Sequence, residues 1–344
     1  MPLYAKDDIL QILEEVRAGT SPKESIEQST CLAIRNGFVH TFNEEVFCRK
    51  KTSFPQEWEF AVTLAPVVQV LTKLNDPEIH IDFNGKELVI SGKGRKTGFT
   101  IQKDIALPID EMNLPTKEDW NKLPEDFTDA IAIVESCAGR SKDEFVSTCL
   151  HIHPKYIEAT DRFQAARYKM AMDIESPILL RRESIEPAVG LELTKYAQTK
   201  NWFHLRSSTG LLYSVKENRD VYPDLSPILA LDGVKTTLPK SLAAAAGIAE
   251  IFSSEDKDNN TAMISLEPGR ITIRGEGTAG WHQERKKIKY DGKPMTFMMS
   301  PKIIAQVIDR NNEVYLANNR LIIDGGNWTY ATVLAKKKKV VADD

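Results

Sequence analysis

Six times along this chain, a short alternating run, a polar turn and a second alternating run follow one another. Alternation with a period of two is the signature of an antiparallel hairpin, so the chain is constrained to a repeated, sheet-rich architecture. The segments are residues 29–42, 78–91, 147–160, 202–215, 261–274 and 313–324. Asn36-Gly37, Asn84-Gly85, Thr209-Gly210 and Pro268-Gly269 supply turn residues to four of them, because Asn and Gly tolerate positive φ and Pro fixes a tight turn. Ser-Thr-Cys-Leu occurs identically at Ser29 and Ser147, a separation of 118 residues in a chain of 344, which suggests that the first and third hairpins open equivalent domains. Each hairpin is preceded by a stretch with apolar residues at helical spacing. These stretches predict helices over 7–18, 63–75, 126–138, 184–199, 240–253 and 301–310. Pro66, Pro187 and Pro301 fall in first turns, where a missing N–H costs nothing. Leu123-Pro124 and Leu238-Pro239 stand at matching offsets before two of the helices.

The repeat unit, helix and antiparallel strands, is α+β in class. Two units make a domain and three domains make the chain, divided as 1–121, 122–230 and 231–335 with a basic then acidic tail over 336–344. The proline-bearing connectors 107–124 and 219–229 read as extended linkers. A length of 344 residues agrees, since it exceeds what one hydrophobic core usually organises. Lys plus Arg number 45 against 49 Asp plus Glu, a formal charge of −4, so any basic surface is local. No run approaches a membrane span, and the first residues read as an acidic amphipathic helix rather than a signal peptide, which leads us to expect a cytoplasmic protein. Cys31, Cys48, Cys137 and Cys149 form no CxxC pair and are expected as reduced, buried thiols.

No catalytic constellation emerges. Residues 275–280 match G-x-G-x-x-G, but the polar residues that follow do not form the helix a dinucleotide fingerprint needs, so a bulged strand is preferred. Residues 92–98 (GKGRKTG) read as a turn between strands rather than a phosphate loop. His151 and His153 share one strand face without matching ligands elsewhere, which favours a structural role. No cofactor and no metal are expected, and the chain is read as a non-enzyme. A repeat that turns the chain by a fixed angle can close a ring, and a ring acts through its shape.

The segment Ile157-Glu158-Ala159-Thr160-Asp161, the loop from Asn218 to Leu225 (NRDVYPDL) and the final strand from Trp328 to Leu334 (WTYATVL) together resemble the bacterial and phage-type DNA polymerase sliding clamps, the beta clamp family, from about Asp7 to Ala335. The resemblance implies a head-to-tail homodimer of three-domain subunits, closed as a ring on double-stranded DNA with helices inside and sheets outside. It implies a processivity factor that tethers a DNA polymerase and meets a clamp loader through short hydrophobic motifs. The alternative is a clamp-fold adaptor that binds replication proteins without closing a ring. Ring closure separates the two.

For the DNA-facing wall the candidates on or beside helices are Lys73, Arg140, Lys142, Lys195, Lys200, Lys240, Lys302 and Arg310, each weighed against an ordinary solvated face. The first helix, with Asp7, Asp8, Glu14 and Glu15, is a poor contributor, and Lys336–Lys339 reads as a solvated tail. The peptide cleft that the resemblance implies between the second and third domains would be walled by Val146, Thr160, Arg162, Phe163, Ala165, Pro223, Pro227, Ile228, Ala331 and Val333. Here the sequence departs from the pattern. The family's Gly-His-Arg-Leu after Thr-Asp is Arg162-Phe163-Gln164-Ala165, and the Met-Pro-Met type of ending is replaced by Val333-Leu334-Ala335. For the dimer contact the matching positions are Phe99 and Ile101 on a first-domain strand and Ile251 and Phe252 at the end of the fifth helix, with intradomain core as the competing reading.

Overall fold

The computed structural model describes residues 2–140, 144–253, 261–317 and 319–334. Among them are seven α-helices: α1 Lys6–Val16, α2 Leu64–Lys73, α3 Phe127–Val134, α4 Arg182–Ile185, α5 Ser226–Leu229, α6 Leu242–Ser253 and α7 Pro301–Arg310. None is long and apolar enough to cross a membrane. The hairpins form where alternation places them. Strands Cys31–Arg35 and Phe38–Phe42 meet at Asn36 and Gly37, whose φ values of 53° and 72° are both left-handed. Gly85, Gly210 and Gly269 are likewise at positive φ in their turns.

The described chain divides into two compact units that interleave in sequence. In the first, residues 1–135, 149–155 and 170–221, a twelve-stranded sheet runs without a break across the sequence boundary at 121. The join is the pairing of Val46–Lys51 with Leu212–Lys216, Val46 opposite Val215 and Cys48 opposite Tyr213. In the second, residues 136–148, 156–169 and 222–344, the equivalent join pairs Gln164–Lys169 with Trp328–Val333, Ala165 opposite Ala331. Each join places a strand from one third of the sequence beside a strand from the next.

The helices bury one stripe each. Ile9, Leu13 and Val16 of α1 and Val67, Val68 and Leu71 of α2 are buried, and Ile304, Val307 and Ile308 of α7 follow Pro301 at the helix start. One expectation fails. Residues 184–199 are not a long helix: α4 is a single turn, Glu186–Gly190 is 3₁₀, and Leu193–Thr199 is a strand paired with Trp202–Ser207. Pro187 and Gly190 break the helix, and the following residues gain more from cross-strand pairing that buries Tyr196 and Ala197. All four cysteines are buried, and burial pushes the Cys48 thiol up to about 12. Residues 275–280 are a strand, a tight turn with Gly277 opposite Gly280, and a returning strand. Gly275 lies so close to α6 that a Cβ there would stand 2.1 Å from the Ala249 carbonyl oxygen. That glycine serves helix–sheet packing.

Candidate partner cleft and DNA-facing surface

The cleft candidates all fall in the second unit. Its floor is an apolar cluster of Ala165, Leu225, Leu229, Ile322 and Ala331, with Tyr222 and Tyr315 packed against it. Ala165 and Ala331 are themselves buried, as is Thr160, so these three shape the site from beneath. The exposed apolar groups above are Phe163, Ile228 and Val333, at 71%, 37% and 43% exposure. Pro223 and Pro227 are exposed on the connector, while Val146 is half-buried.

Local hydrogen bonds fix this surface. The Asp161 carboxylate accepts from the Phe163 and Gln164 amides at 2.9 and 2.7 Å, and the Thr160 hydroxyl accepts from the Arg162 amide at 3.0 Å while donating to the Gln164 carbonyl at 2.6 Å. The turn forces Arg162 to φ +76°. This is where the resemblance expects glycine, and the departure places a side chain in a conformation that L-residues avoid. Arg162 then pairs with Glu144. The Val333 amide donates to the Phe163 carbonyl at 2.8 Å, so the two exposed side chains are held on neighbouring backbone.

On the connector, the Asp224 carboxylate accepts from the Ser226 amide at 2.9 Å just ahead of α5, and hydrogen bonds from Ser226 hold its carboxyl below the usual range. Arg320 clamps the connector from below, donating to the Pro227 carbonyl at 2.8 Å and pairing with Asp232 at 2.7 Å. Sequence reasoning passed over Arg320, Leu225 and Leu229. The spacing of the two leucines, one helical turn apart, is a legible signal, whereas Arg320 has none.

The basic candidates separate. Lys73 in the last turn of α2, Arg140 after α3, Lys240 just ahead of α6 and Lys302 in the first turn of α7 are exposed. Lys302 stands 3.6 Å from Glu250. Arg310 is half-buried, donating to the Ser136 hydroxyl at 2.8 Å and lying over the Tyr330 ring. Lys195 and Lys200 are not on a helix: the break at Pro187 and Gly190 puts Lys195 on the strand Leu193–Thr199 and Lys200 in the turn after it. Lys142 and Lys336–Lys339 lie outside the described residues.

At the dimer positions, Phe99 of the first unit is half-buried opposite Leu88, while Ile101 is buried within its own unit opposite Val62. In the second unit, Ile251 is 65% exposed at the end of α6. Phe252 stacks on His282 at 6.5 Å and 14°, with exposed Trp281 beside it. Strand Gly280–Lys287 is an edge of its four-stranded sheet, and Arg95–Gln102 pairs with Phe60–Thr63 at Ile101 and Gln102. Among the described residues, no group of three or more His, Cys, Asp or Glu is placed to hold a metal ion.

No family model matches the sequence, and no curated protein matches it either. Solved structures do. The DNA polymerase III beta chain of Streptococcus pneumoniae superposes with a TM-score of 0.81 at 13% identity, and the beta subunit of Thermotoga maritima with 0.80 at 13%. A DNA polymerase sliding clamp of Pseudomonas aeruginosa gives 0.78 at 13%. In each case 97% of this chain covers 99% of the other. The chain has the sliding-clamp fold. At such identity the fold is what is shared.

Proposed function

We propose that this chain is a DNA sliding clamp: a processivity factor that encircles double-stranded DNA as a head-to-tail homodimer and tethers a polymerase without catalysing a reaction. The observation that carries the reading is the agreement of fold over 97% of the chain with DNA polymerase III beta subunits. The division into three domains at 121 and 230 belongs to the same reading, as does action on DNA in the cytoplasm. A ring holds DNA by topology, so a net charge of −4 with a few exposed lysines and arginines is sufficient.

The ring would close by setting the free edge of Gly280–Lys287, with Ile251 and Phe252, against Arg95–Gln102, with Phe99 backed by Ile101, of the next subunit. Lys73, Arg140, Lys142, Lys240, Lys302 and Arg310 are the favoured DNA-facing groups, ahead of Lys195 and Lys200, which are not on a helix. The surface of Phe163, Ile228 and Val333, rimmed by Pro223, Pro227, Val146 and Arg162 over Thr160, Ala165 and Ala331, would accept short hydrophobic motifs of the polymerase and clamp loader. Arg162, where glycine is usual, would favour an acidic residue beside the anchors.

Light scattering after size exclusion tests assembly. A mass of about 77 kDa, twice the chain's 38.7 kDa, is expected. A monomer at micromolar concentration would remove the ring and favour the adaptor.

A further inference from the structure

The two sheet joins share an arginine laid over an aromatic ring, and differ in the group beside it. Arg167, at the second join, lies over the Tyr156 ring at 4.3 Å, and its Nη2 pairs at 2.7 Å with Glu158, a carboxylate 1% exposed. Arg49 precedes Arg167 by the same 118 residues that separate the two Ser-Thr-Cys-Leu segments, and Phe38 precedes Tyr156 by that spacing. Arg49 likewise lies over the Phe38 ring, at 4.0 Å. The position of Glu158, however, is held by His40. His40 is 4% exposed and burial lowers its pKa to about 4, so it is neutral and supplies no counter-charge.

The first join therefore keeps a half-buried guanidinium and has lost the carboxylate that neutralises its counterpart. Arg49 makes no ion pair among the described residues, and its Nε is buried without a hydrogen-bond partner, as is His40 Nδ1. Asp110, the nearby acid, is taken by Arg35 at 2.8 Å. Leaving such groups unpaired is costly, and the cost is relieved by an anion from outside.

Space for one exists. Two adjoining pockets of about 290 and 400 Å³ open at Arg49, under the connector that carries Leu114 and Trp120. Phe38 and Leu114 line both, Trp120 lines the smaller, and the larger also carries the Arg35–Asp110 pair; Arg206 lies over the Trp120 ring with no ion pair among the described residues. One anionic position beside an apolar slot fits a peptide, with a carboxylate on the Arg49 fork and a neighbouring Leu or Phe against Phe38 and Trp120.

We propose that this groove is a second partner site, specific for an acidic-hydrophobic peptide segment of a partner protein, in which the partner's carboxylate takes the place Glu158 holds at the other join. The site does not depend on ring closure. The test titrates the full chain with a fluorescein-labelled, acetylated nonapeptide carrying one Asp beside Leu-Phe, followed by anisotropy, and repeats it with Asn for Asp. The Asp peptide is expected to bind saturably and the Asn peptide at least about tenfold more weakly, as expected for losing a charge-assisted hydrogen bond.

Arg49→Gln and Trp120→Ala should each weaken the Asp peptide to a similar degree. His40→Glu should abolish its binding while raising the melting temperature, because it restores the internal pair; a merely structural Arg49 would not couple those two readouts. Because the Phe163 and Ile228 surface is proposed to take a similar segment, the titrations are made in a Phe163→Ala with Ile228→Ala background, where saturable binding that depends on Arg49 should persist. No saturable binding in that background, equal affinity with and without Arg49→Gln, or unaltered binding by His40→Glu would each overturn the proposal.

Discussion

Several single residues in this chain are held against their own preference. Arg162 sits at φ +76° because the Thr160 and Asp161 side chains lock the turn around it. Arg162→Gly should stabilise the protein by about 0.5–1 kcal/mol in chemical denaturation, the relief of left-handed strain less the entropy that glycine adds to the unfolded chain; its exposed pair with Glu144 offsets little. Glu158→Gln should have the opposite sign. It replaces the carboxylate facing Arg167 by a neutral amide that keeps one acceptor oxygen, and we expect a loss of roughly 1.5–3 kcal/mol, the worth of the charge-assisted bond. Burial lowers both His40 and His204 to about 4 from 6.5, and His204 is further fixed between the Thr199 and Ser214 hydroxyls at 2.7 Å each. Between those two values the unfolded chain binds protons that the folded chain does not, so stability falls as pH drops from about 6.5 to about 4. Melting temperatures across that window should show the decline, with a shallower slope in His204→Asn; a flat profile would mean the two imidazoles protonate in place.

Among the elements, α6 and the strand Arg270–Gly277 give a paired prediction. Gly275 has no room for a Cβ against the Ala249 backbone, so Gly275→Ala should cost about 1–3 kcal/mol by overpacking. Gly247, in the same helix, meets nothing within 4 Å, so Gly247→Ala should stabilise by up to about 1 kcal/mol. Equal effects of the two substitutions would contradict the packing described. The hairpins were legible because their turns carry their own chemistry, Asn36-Gly37 above all, and α1, α2 and α7 because their apolar stripes are regular. Residues 184–199 were not: Leu193, Tyr196 and Ala197 satisfy a helical spacing and not a strand's alternation, and only pairing with Trp202–Ser207 makes the segment a strand. The cleft was legible in part. Phe163 and Ile228 were reached through the family resemblance, but the clamping by Arg320 spans 93 residues to Pro227 and leaves no local trace. The contrast between His40 and Glu158 was present in the repeat from the start, yet it acquires meaning only when Arg49 and Arg167 are seen over their aromatic partners.

For the whole molecule, assembly should rest on few side chains. Ile251→Ala with Phe252→Ala should lower dimerisation while leaving the fold intact, since truncating an interface anchor costs about 2 kcal/mol or more, roughly thirtyfold in Kd for each. An unchanged mass by light scattering at low concentration would place the contact elsewhere. The central claim is that DNA is held by topology. Grip through a handful of phosphate contacts weakens with salt along a log–log slope of about −0.9 for each contact, whereas a closed circle of DNA offers no exit at any salt. The direct measurement is the release rate of loaded protein from nicked circular DNA and from the same DNA linearised, in moderate salt. Rapid loss from the linear form alone is predicted, and equal rates from the two would contradict a ring.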